Sequence, residues 1–127
     1  MLYEVKARYT DGDKTVKVHY LLDAELFAQA EATVYEQLKD KKDVDVVNIK
    51  RSTIKEVIRV DNDLDYYVAT LSEIYIDDKG KEIIFRYKQL IPAANIGEAQ
   101  KAITEFLEQG YDMDLDAIKL TTINAVL

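Results

Sequence analysis

The sequence predicts an α+β fold made by tandem duplication of a strand-strand-helix-strand unit, with an antiparallel sheet that carries two helices on one face. Three observations predict this fold. Residues 21–58 align without a gap to residues 90–127, alternating apolar residues precede each aligned segment, and a helical apolar stripe lies inside each. The 127 residues, of which 48% are hydrophobic, suffice for one hydrophobic core. We therefore expect a single domain over residues 1–127.

The two aligned segments are related by a constant offset of 69 residues, and 12 of their 38 aligned pairs are identical. Unrelated segments of this length share about two or three identities on typical residue frequencies. The identical pairs include Leu21/Leu90, Ala30/Ala99, Lys50/Lys119 and Ile54/Ile123. These identities predict internal repeats at residues 1–58 and 66–127, joined by an acidic linker at residues 59–65.

Each repeat is predicted to begin with a hairpin. In the first, Tyr3–Tyr9 and Val16–Tyr20 alternate apolar with polar residues on either side of the turn residues Asp11-Gly12-Asp13. In the second, Tyr67–Leu71 and Phe85–Tyr87 flank a turn near residues 77–81. The greater separation of these segments predicts a second hairpin that is a few residues longer.

One helix and one extended segment are predicted after each hairpin. Apolar residues recur at helical spacing in both repeats, at Phe27, Ala30, Val34 and Leu38 and at Ile96, Ala99, Ile103 and Leu107. Asn95 with Glu98 predicts a capping box, Gly110 predicts a helix end, and Asp23 is the nearest cap for the first helix. In the following segments, 44–60 and 113–127, the alternation slips near Asn48 and Ala117, which predicts a bulge or a bend in each.

Catalytic and cofactor motifs are missing from the sequence. The chain has no cysteine, which excludes disulfides, thiolate nucleophiles and cysteine-containing zinc sites. It has no glycine-rich phosphate loop, and no nucleophile and carboxylate are placed by sequence to form a triad with His19, its only histidine. We expect a protein that is not an enzyme, with no catalytic residue, no metal ligand and no cofactor.

Two aspartate runs imitate the first ligand positions of a calcium loop, Asp61-x-Asp63-x-Asp65 and Asp112-x-Asp114-x-Asp116. Tyr66 and Ala117 stand where such a loop needs glycine, and the later bidentate glutamate is missing. Solvated loop carboxylates are the expected interpretation. A small metal-dependent hydrolase or nuclease that uses these aspartates is the third-ranked alternative.

Charge and hydropathy indicate a soluble cytoplasmic protein. The first ten residues contain charges from position 4 onward and lack the apolar core of a signal peptide, and no run of about 18 apolar residues occurs that could cross a membrane. The net charge of -7 opposes nonspecific attraction to nucleic acid or to an anionic membrane on average. The distribution of charge over the fold therefore carries more information than its sum.

Basic residues concentrate on the predicted outward face of the hairpins and on the strands after the helices. Cations for phosphates and aromatic planes for stacked bases are what single-stranded nucleic acid requires. The candidate nucleic-acid-binding residues are Lys6, Arg8, Lys17, His19, Lys50, Arg51, Arg86, Lys88 and Lys119, with the rings of Tyr66 and Tyr75. The alternative is a merely solvated face, because antiparallel strands put such residues toward water, and His19 would then be an ordinary surface residue.

Several segments resemble an uncharacterised family of small proteins from gut-type bacteria and their bacteriophages, known only as a domain of unknown function. The resemblance lies in residues 2–9 (LYEVKARY), 22–24 with 30–32, Ile49-Lys50-Arg51 with Glu56-Val57, and 78–82 (DKGKE). It implies no active site, and the phage association implies replication, recombination or host-takeover roles. Leu26 stands where the family is expected to have a small polar helix cap. More distantly, a duplicated hairpin-plus-helix unit resembles the whirly or PUR type of single-stranded nucleic-acid-binding fold.

These observations predict a single-stranded DNA-binding protein of phage type, an accessory of replication or recombination in the host cell cytoplasm. The alternative is a protein–protein interaction module, such as an acidic inhibitor or modulator of a host enzyme, whose partner is a host or phage protein. A homodimer is expected under either hypothesis. The apolar strand ends at Ile54-Val57-Ile58 and Ile123-Val126-Leu127 would provide its edges.

Overall fold

The computed structural model describes residues 1–110 and 112–127, which form eight strands and two helices. In chain order the elements are β1 (Leu2–Asp11), β2 (Lys14–Asp23), α1 (Phe27–Gln37), β3 (Lys42–Arg51), β4 (Ile54–Val57), β5 (Asp65–Ile76), β6 (Glu82–Ala93), α2 (Ile96–Leu107), β7 (Asp114–Leu120) and β8 (Ala125–Val126). The predicted α+β class is confirmed. The second hairpin is also the longer one, with strands of 12 residues against 10 in the first.

The strands form two four-stranded sheets, in the orders β3-β1-β2-β8 and β4-β6-β5-β7. The first compact unit contains residues 1–53 and 122–127, and the second contains residues 54–121. The expectation of one sheet with both helices on one face is wrong, because each hairpin forms its own sheet and packs its own helix. Residues 59–65 lie inside the second unit.

The core of the first unit follows from the alternation along its hairpin. Tyr3, Val5 and Ala7 of β1 share a face with Tyr20 and Leu22 of β2, since the register places Val5 opposite Tyr20. The apolar stripe of α1 packs against this face through Ala30, Val34 and Leu38. Alternate residues of β1 and β2 therefore point to the outer face, on the side of the sheet away from the helix.

The second unit has the same plan. Tyr67, Ala69 and Leu71 of β5 and Ile91 and Ala93 of β6 face Ala99 and Ile103 of α2. Gln89 is also on this helix side, opposite Ala69, and it is only 4% exposed. Its side-chain oxygen Oε1 has no hydrogen-bond partner among the described residues.

Each sheet takes its fourth strand from the other predicted repeat. β8 pairs in parallel with β2, and the Leu127 N–H donates to the Leu21 carbonyl at 2.9 Å. β4 pairs in parallel with β6, and the Ile58 N–H donates to the Leu90 carbonyl at 2.9 Å. The two hydrogen bonds join residues that the repeat offset makes equivalent. The apolar strand ends were expected to form the edges of a dimer. One edge of each already pairs within the chain, with β6 or with β2.

Both predicted bulges are present. Lys6 pairs with Asn48 and Ala7 with Val46, which leaves Val47 as the additional residue of β3. In β7 the additional residue is Asp116, the equivalent of Val47 in the second repeat. An unpaired extra residue bends the strand and increases its twist.

The helix starts differ between the repeats. In α2 the Asn95 side chain accepts from the Glu98 N–H at 2.9 Å, which confirms the Asn95 half of the predicted capping box. The Glu98 side chain accepts from the Ala94 N–H at 3.4 Å, one residue before the cap, and Gly110 beyond the helix has φ of 105°. Asp23 is not the cap of α1. Leu26 occupies the cap position and has no polar side chain, so the Gln29 side chain instead accepts from the backbone N–H groups of Glu25 and Leu26.

Replacing Gln89 by leucine is expected to stabilise the protein by about 1 kcal/mol, because an unsatisfied buried acceptor is replaced by an apolar group of similar size. Urea unfolding measures the change, with the exposed Gln37→Leu as a control that leaves the free energy of unfolding within about 0.5 kcal/mol. A less stable Gln89→Leu variant contradicts the prediction.

Candidate nucleic-acid interface

Three cations meet on the outer face of the first unit. Lys6 and Arg8 alternate with core residues of β1, and Lys17 alternates with core residues of β2. The register places Arg8 directly opposite Lys17, and Lys6 directly opposite His19. All three cations are exposed, as the alternation predicts.

A cavity of about 520 Å³ lies at this face. Strands β1 and β2 form part of it, the bulge residue Val47 contributes an exposed apolar side chain, and two neutral polar residues come from the segment before β8. The lining residues are Lys6, Ala7, Arg8, Lys17, Val18, His19, Val47, Thr122 and Asn124. The cavity therefore combines three cations with neutral hydrogen-bonding groups.

His19 is buried at this face, with its side chain 10% exposed. Its Nε2 lies 2.9 Å from Glu4 Oε1, and its Nδ1 lies 2.8 Å from Thr122 Oγ1. Asn124 forms two hydrogen bonds with the backbone of His19. Its Oδ1 accepts from the His19 N–H at 2.6 Å, and its own N–H donates to the His19 carbonyl at 2.7 Å. The expectation of an ordinary surface histidine is wrong, because the segment before β8 covers it.

Glu4 completes a polar network around His19. The second carboxylate oxygen of Glu4 accepts from the Ser52 hydroxyl at 2.7 Å. Because an ionised carboxylate only accepts hydrogen bonds, the neutral imidazole carries its proton on Nε2 and accepts at Nδ1 from the Thr122 hydroxyl. Strands β1 and β2, the end of β3 and the segment before β8 are thereby joined.

Burial lowers the pKa of His19 below its ordinary value of 6.5. Glu4 opposes this shift by its charge and its hydrogen bond, whereas the positive charges of Lys6 and Lys50 act in the same direction as burial. Since desolvation is the largest contribution, the neutral imidazole is the form that the fold favours. The cationic character of the cavity therefore comes from Lys6, Arg8 and Lys17.

The three cations differ in their partners. Arg8 pairs with Asp45 of β3 at 3.0 Å, and both side chains are about half exposed, at 54% and 53%. Such an exposed pair contributes little stability, so little is lost when Arg8 leaves Asp45. Lys6 and Lys17 form no ion pair within residues 1–110 and 112–127.

The outer face of the second unit carries Arg86, Lys88 and Lys119, all exposed. Arg86 lies opposite Ser72, Lys88 opposite Thr70, and Lys119 opposite Val68. The His19 network is not repeated here, because Lys88 stands at the position of His19 and Val68 at the position of Glu4. The bulge residue of this unit is Asp116, at the position of Val47. Its carboxylate accepts a hydrogen bond from the Ser72 hydroxyl at 3.1 Å.

The family described as Domain of unknown function (DUF4494) matches residues 1–127. The chain belongs to this family. No curated protein and no solved structure matches it.

In this DUF4494 chain, two of the predicted site residues lie away from the basic faces. Arg51 lies opposite Tyr3 on the helix side, because neighbouring residues of a strand point to opposite sides and Lys50 takes the outer one. Tyr75 is exposed, but it lies on the helix side, where its ring contacts Phe85 edge to face at 5.3 Å. Neither residue can therefore act together with the outward cations.

The prediction that Tyr66 exposes its ring is wrong, because the residue is fully buried. Its hydroxyl donates to Asn62 Oδ1 at 2.6 Å and accepts from the Asp61 N–H at 3.0 Å. The aspartate run at residues 61–65 thus forms a loop around a tyrosine hydroxyl.

Among the described residues no group of three or more histidine, aspartate or glutamate side chains could hold a metal ion. Neither described helix is long and apolar enough to cross a membrane.

Glu4, Ser52, Thr122 and Asn124 belong to the site but were not predicted from the sequence. The position of Glu4 could have been predicted from the sequence, since it alternates with the core residues of β1 and is diagonal to His19 across the hairpin. The positions of Thr122 and Asn124 could not, because these residues lie 103 and 105 positions from His19 along the chain. Only the pairing of β8 with β2 reveals them.

The DUF4494 chain is expected to lose stability as the pH falls below 6.5. The folded-state pKa of His19 is lowered, so the unfolded chain binds the proton first, and stability declines between 6.5 and the lower folded-state value. Urea unfolding at several pH values should show wild type losing up to about 1.4 kcal/mol per pH unit more than His19→Gln. Equal pH dependence of the two proteins would contradict this assignment.

Proposed function

We propose that the protein binds single-stranded DNA by its sugar-phosphate backbone, on the outer face of the first unit. The observation that carries this proposal is the convergence of Lys6, Arg8 and Lys17 on one cavity. Lysine and arginine make the phosphate contacts that dominate affinity for nucleic acid. Lys6 and Lys17 need not break an ion pair within the described chain to make such contacts.

The buried network supports the proposal by fixing the floor of the cavity. His19 is held by Glu4 on one side and by Thr122 on the other, and Asn124 brackets its backbone. The cations on β1 and β2 therefore extend from a rigid base rather than from a loop. A rigid arrangement lowers the conformational entropy lost when the ligand binds.

A flexible single strand suits this face better than a duplex, because its backbone can bend so that successive phosphates reach cations on neighbouring strands. No aromatic ring of the described residues is both exposed and on the outer faces, which leaves the backbone as the contact and favours binding without base preference. Arg86, Lys88 and Lys119 supply a second set of cations on the second unit.

The finer role that we propose is that of a phage-type accessory in replication or recombination, acting in the host cell cytoplasm. Its support is the combination of a basic face with the resemblance in residues 2–9 and 49–51. The likeness to whirly or PUR architecture belongs to the same proposal.

Binding is expected to weaken steeply with salt. Three neutralised phosphates correspond to a slope of log Kobs against log salt of about −2, at about −0.7 per phosphate on a single strand. The double variant Lys6→Gln/Lys17→Gln should reduce the slope to about −0.7. Fluorescence anisotropy with a labelled oligonucleotide measures both values.

Arg51→Gln is the matched control, since it removes an exposed cation of the same sheet from the helix side. It should retain the wild-type slope. Absence of binding by wild type at low salt and micromolar protein, or an equal loss in the control, contradicts the proposal.

The charge of the helices favours the second candidate, an acidic protein–protein interaction module that modulates a host enzyme. Neither helix has a basic residue in its last turn, and exposed carboxylates lie along and beside both. These are Glu25, Glu31, Glu36, Glu98, Glu105 and Glu108. An acidic surface of this kind complements a basic cleft in a nucleic-acid enzyme.

Affinity capture from nuclease-treated host lysate separates the two candidates. The interaction module predicts a stoichiometric partner that is lost with Glu31→Lys/Glu105→Lys and kept with Lys6→Gln/Lys17→Gln. DNA binding predicts the opposite dependence in the anisotropy assay.

A further inference from the structure

The far end of the second hairpin is an apolar ribbon. This hairpin extension comprises residues 73–76 of β5 and residues 82–87 of β6. Its exposed large apolar side chains are Ile74, Tyr75, Ile76, Ile83, Ile84 and Phe85, from 37% to 72% exposed. The equivalent end of the first hairpin has the polar sequence Thr10-Asp11-Gly12-Asp13-Lys14-Thr15. Exposed apolar groups concentrated at one place indicate an interaction surface.

Within residues 1–110 and 112–127, no strand pairs with one edge of β6 along this extension. β5 covers the other edge in an unbroken register, whereas β4 pairs only with Lys88, Gln89 and Leu90. The Leu90 carbonyl accepts from Ile58 on the β4 side. Because backbone groups alternate along a strand, the N–H and C=O groups of Glu82, Ile84 and Arg86 point to that same side, beyond the end of β4.

We propose that two copies of this chain pair through the open edge of β6, antiparallel and about a two-fold axis at Ile84. This register lets the two Ile84 residues exchange both backbone hydrogen bonds. It places Glu82 directly opposite Arg86 of the second copy, twice by symmetry, and Ile83 opposite Phe85 of the second copy. Opposite charges and apolar pairs in these positions stabilise an antiparallel ladder.

The charges along β6 select this register among the possible ones. A two-fold axis at Glu82 or at Arg86 places like charges opposite each other, which is destabilising. An axis at Phe85 places Glu82 opposite Lys88 of the second copy, whose edge groups already pair with Ile54, so this register forms fewer backbone hydrogen bonds than the axis at Ile84. An axis at Ile83 places Ile84 opposite Glu82 of the second copy.

The open edge of β5 is a weaker candidate. β7 pairs with β5 as far as Ser72, which leaves only residues 73–76. The edge of β6 is free over residues 82–87 and carries the complementary charges. Pairing there buries the part of the extension that would otherwise template nonspecific strand addition. This inference goes beyond the proposed function and does not require DNA.

Cysteine crosslinking tests the two-fold axis. Directly opposed, hydrogen-bonded residues have Cα atoms about 5.5 Å apart, within the range of about 4.4–6.8 Å that a disulfide spans. The chain contains no native cysteine. Ile84→Cys is therefore expected to form a disulfide-linked dimer under mild oxidation.

Ile76→Cys is the matched control, because Ile76 is exposed on the same side of the hairpin but belongs to β5. In the paired dimer both β6 strands lie between the two Ile76 residues, at a distance of at least about 14 Å. The control should run as a monomer on a non-reducing denaturing gel. Equal crosslinking of the two variants overturns the proposal.

Charge exchange tests the register. Glu82→Arg alone and Arg86→Glu alone each place like charges opposite each other twice, and each should weaken dimerisation about tenfold or more in sedimentation equilibrium. An equimolar mixture of the two variants should restore the wild-type affinity, since every Arg then faces a Glu of the second copy. Far-UV circular dichroism checks that both variants fold.

In sedimentation equilibrium the proposal is overturned by wild type that is monomeric throughout the micromolar range, by single variants that dimerise like wild type, or by a mixture that stays monomeric. Self-association that survives all the β6 variants assigns the dimer to another surface. A different protein bound to the extension, with no self-association, assigns the extension to that partner and likewise overturns pairing between copies. All these measurements are made without nucleic acid, so failure of DNA binding leaves them unaffected.

Discussion

The edge strand of each hairpin needs a hydrogen-bonding partner, and in both units that partner comes from the other predicted repeat. β8 pairs with Tyr20 and Leu21 of β2, and β4 pairs with residues 88–90 of β6. The first pairing brings Thr122 and Asn124 to His19 and so creates the wall of the basic cavity. The second ends at Lys88 and so leaves the rest of β6 open. The candidate site and the apolar extension thus both depend on how far the fourth strand reaches.

The two units share their plan of core positions but differ in what they place on the outer face. The first unit buries a histidine whose two ring nitrogens and backbone are all bonded, together with a carboxylate that is bonded on both oxygens. Satisfying every polar atom is what makes such burial tolerable, because a half-bonded network costs more than an apolar core. The second unit has Lys88 and Val68 at these positions, so the network around His19 is not repeated on its outer face.

The fold was largely predictable at the level of single elements. Period-two alternation identified both hairpins, period-3.6 stripes identified both helices, and slips of alternation near Asn48 and Ala117 identified both bulges. These signals are local, since each arises from residues that are neighbours along the chain. The choice of strand partner is not local, so the two sheets and the fourth strands were not predicted.

The errors in the site have separate physical causes. Arg51 could have been excluded from the sequence, because it neighbours Lys50 in a strand and must point to the opposite side. Tyr66 could not, since its burial depends on a loop that supplies partners for its hydroxyl. The environment of His19 could not be predicted either, because residues more than 100 positions away create it.

The pairing of β8 with β2 also makes the first unit discontinuous along the chain, which has a consequence for folding. Residues 54–121 form the second unit from one continuous segment, whereas the first unit must wait for residues 122–127. Closing a loop of that length costs more chain entropy than closing a hairpin, and contacts between distant residues slow folding. During synthesis on the ribosome the hairpin β1–β2 and helix α1 emerge first, yet their unit is the last to be completed. Until then the edge of β2 and the imidazole of His19 lack the cover that β8 and the segment before it provide.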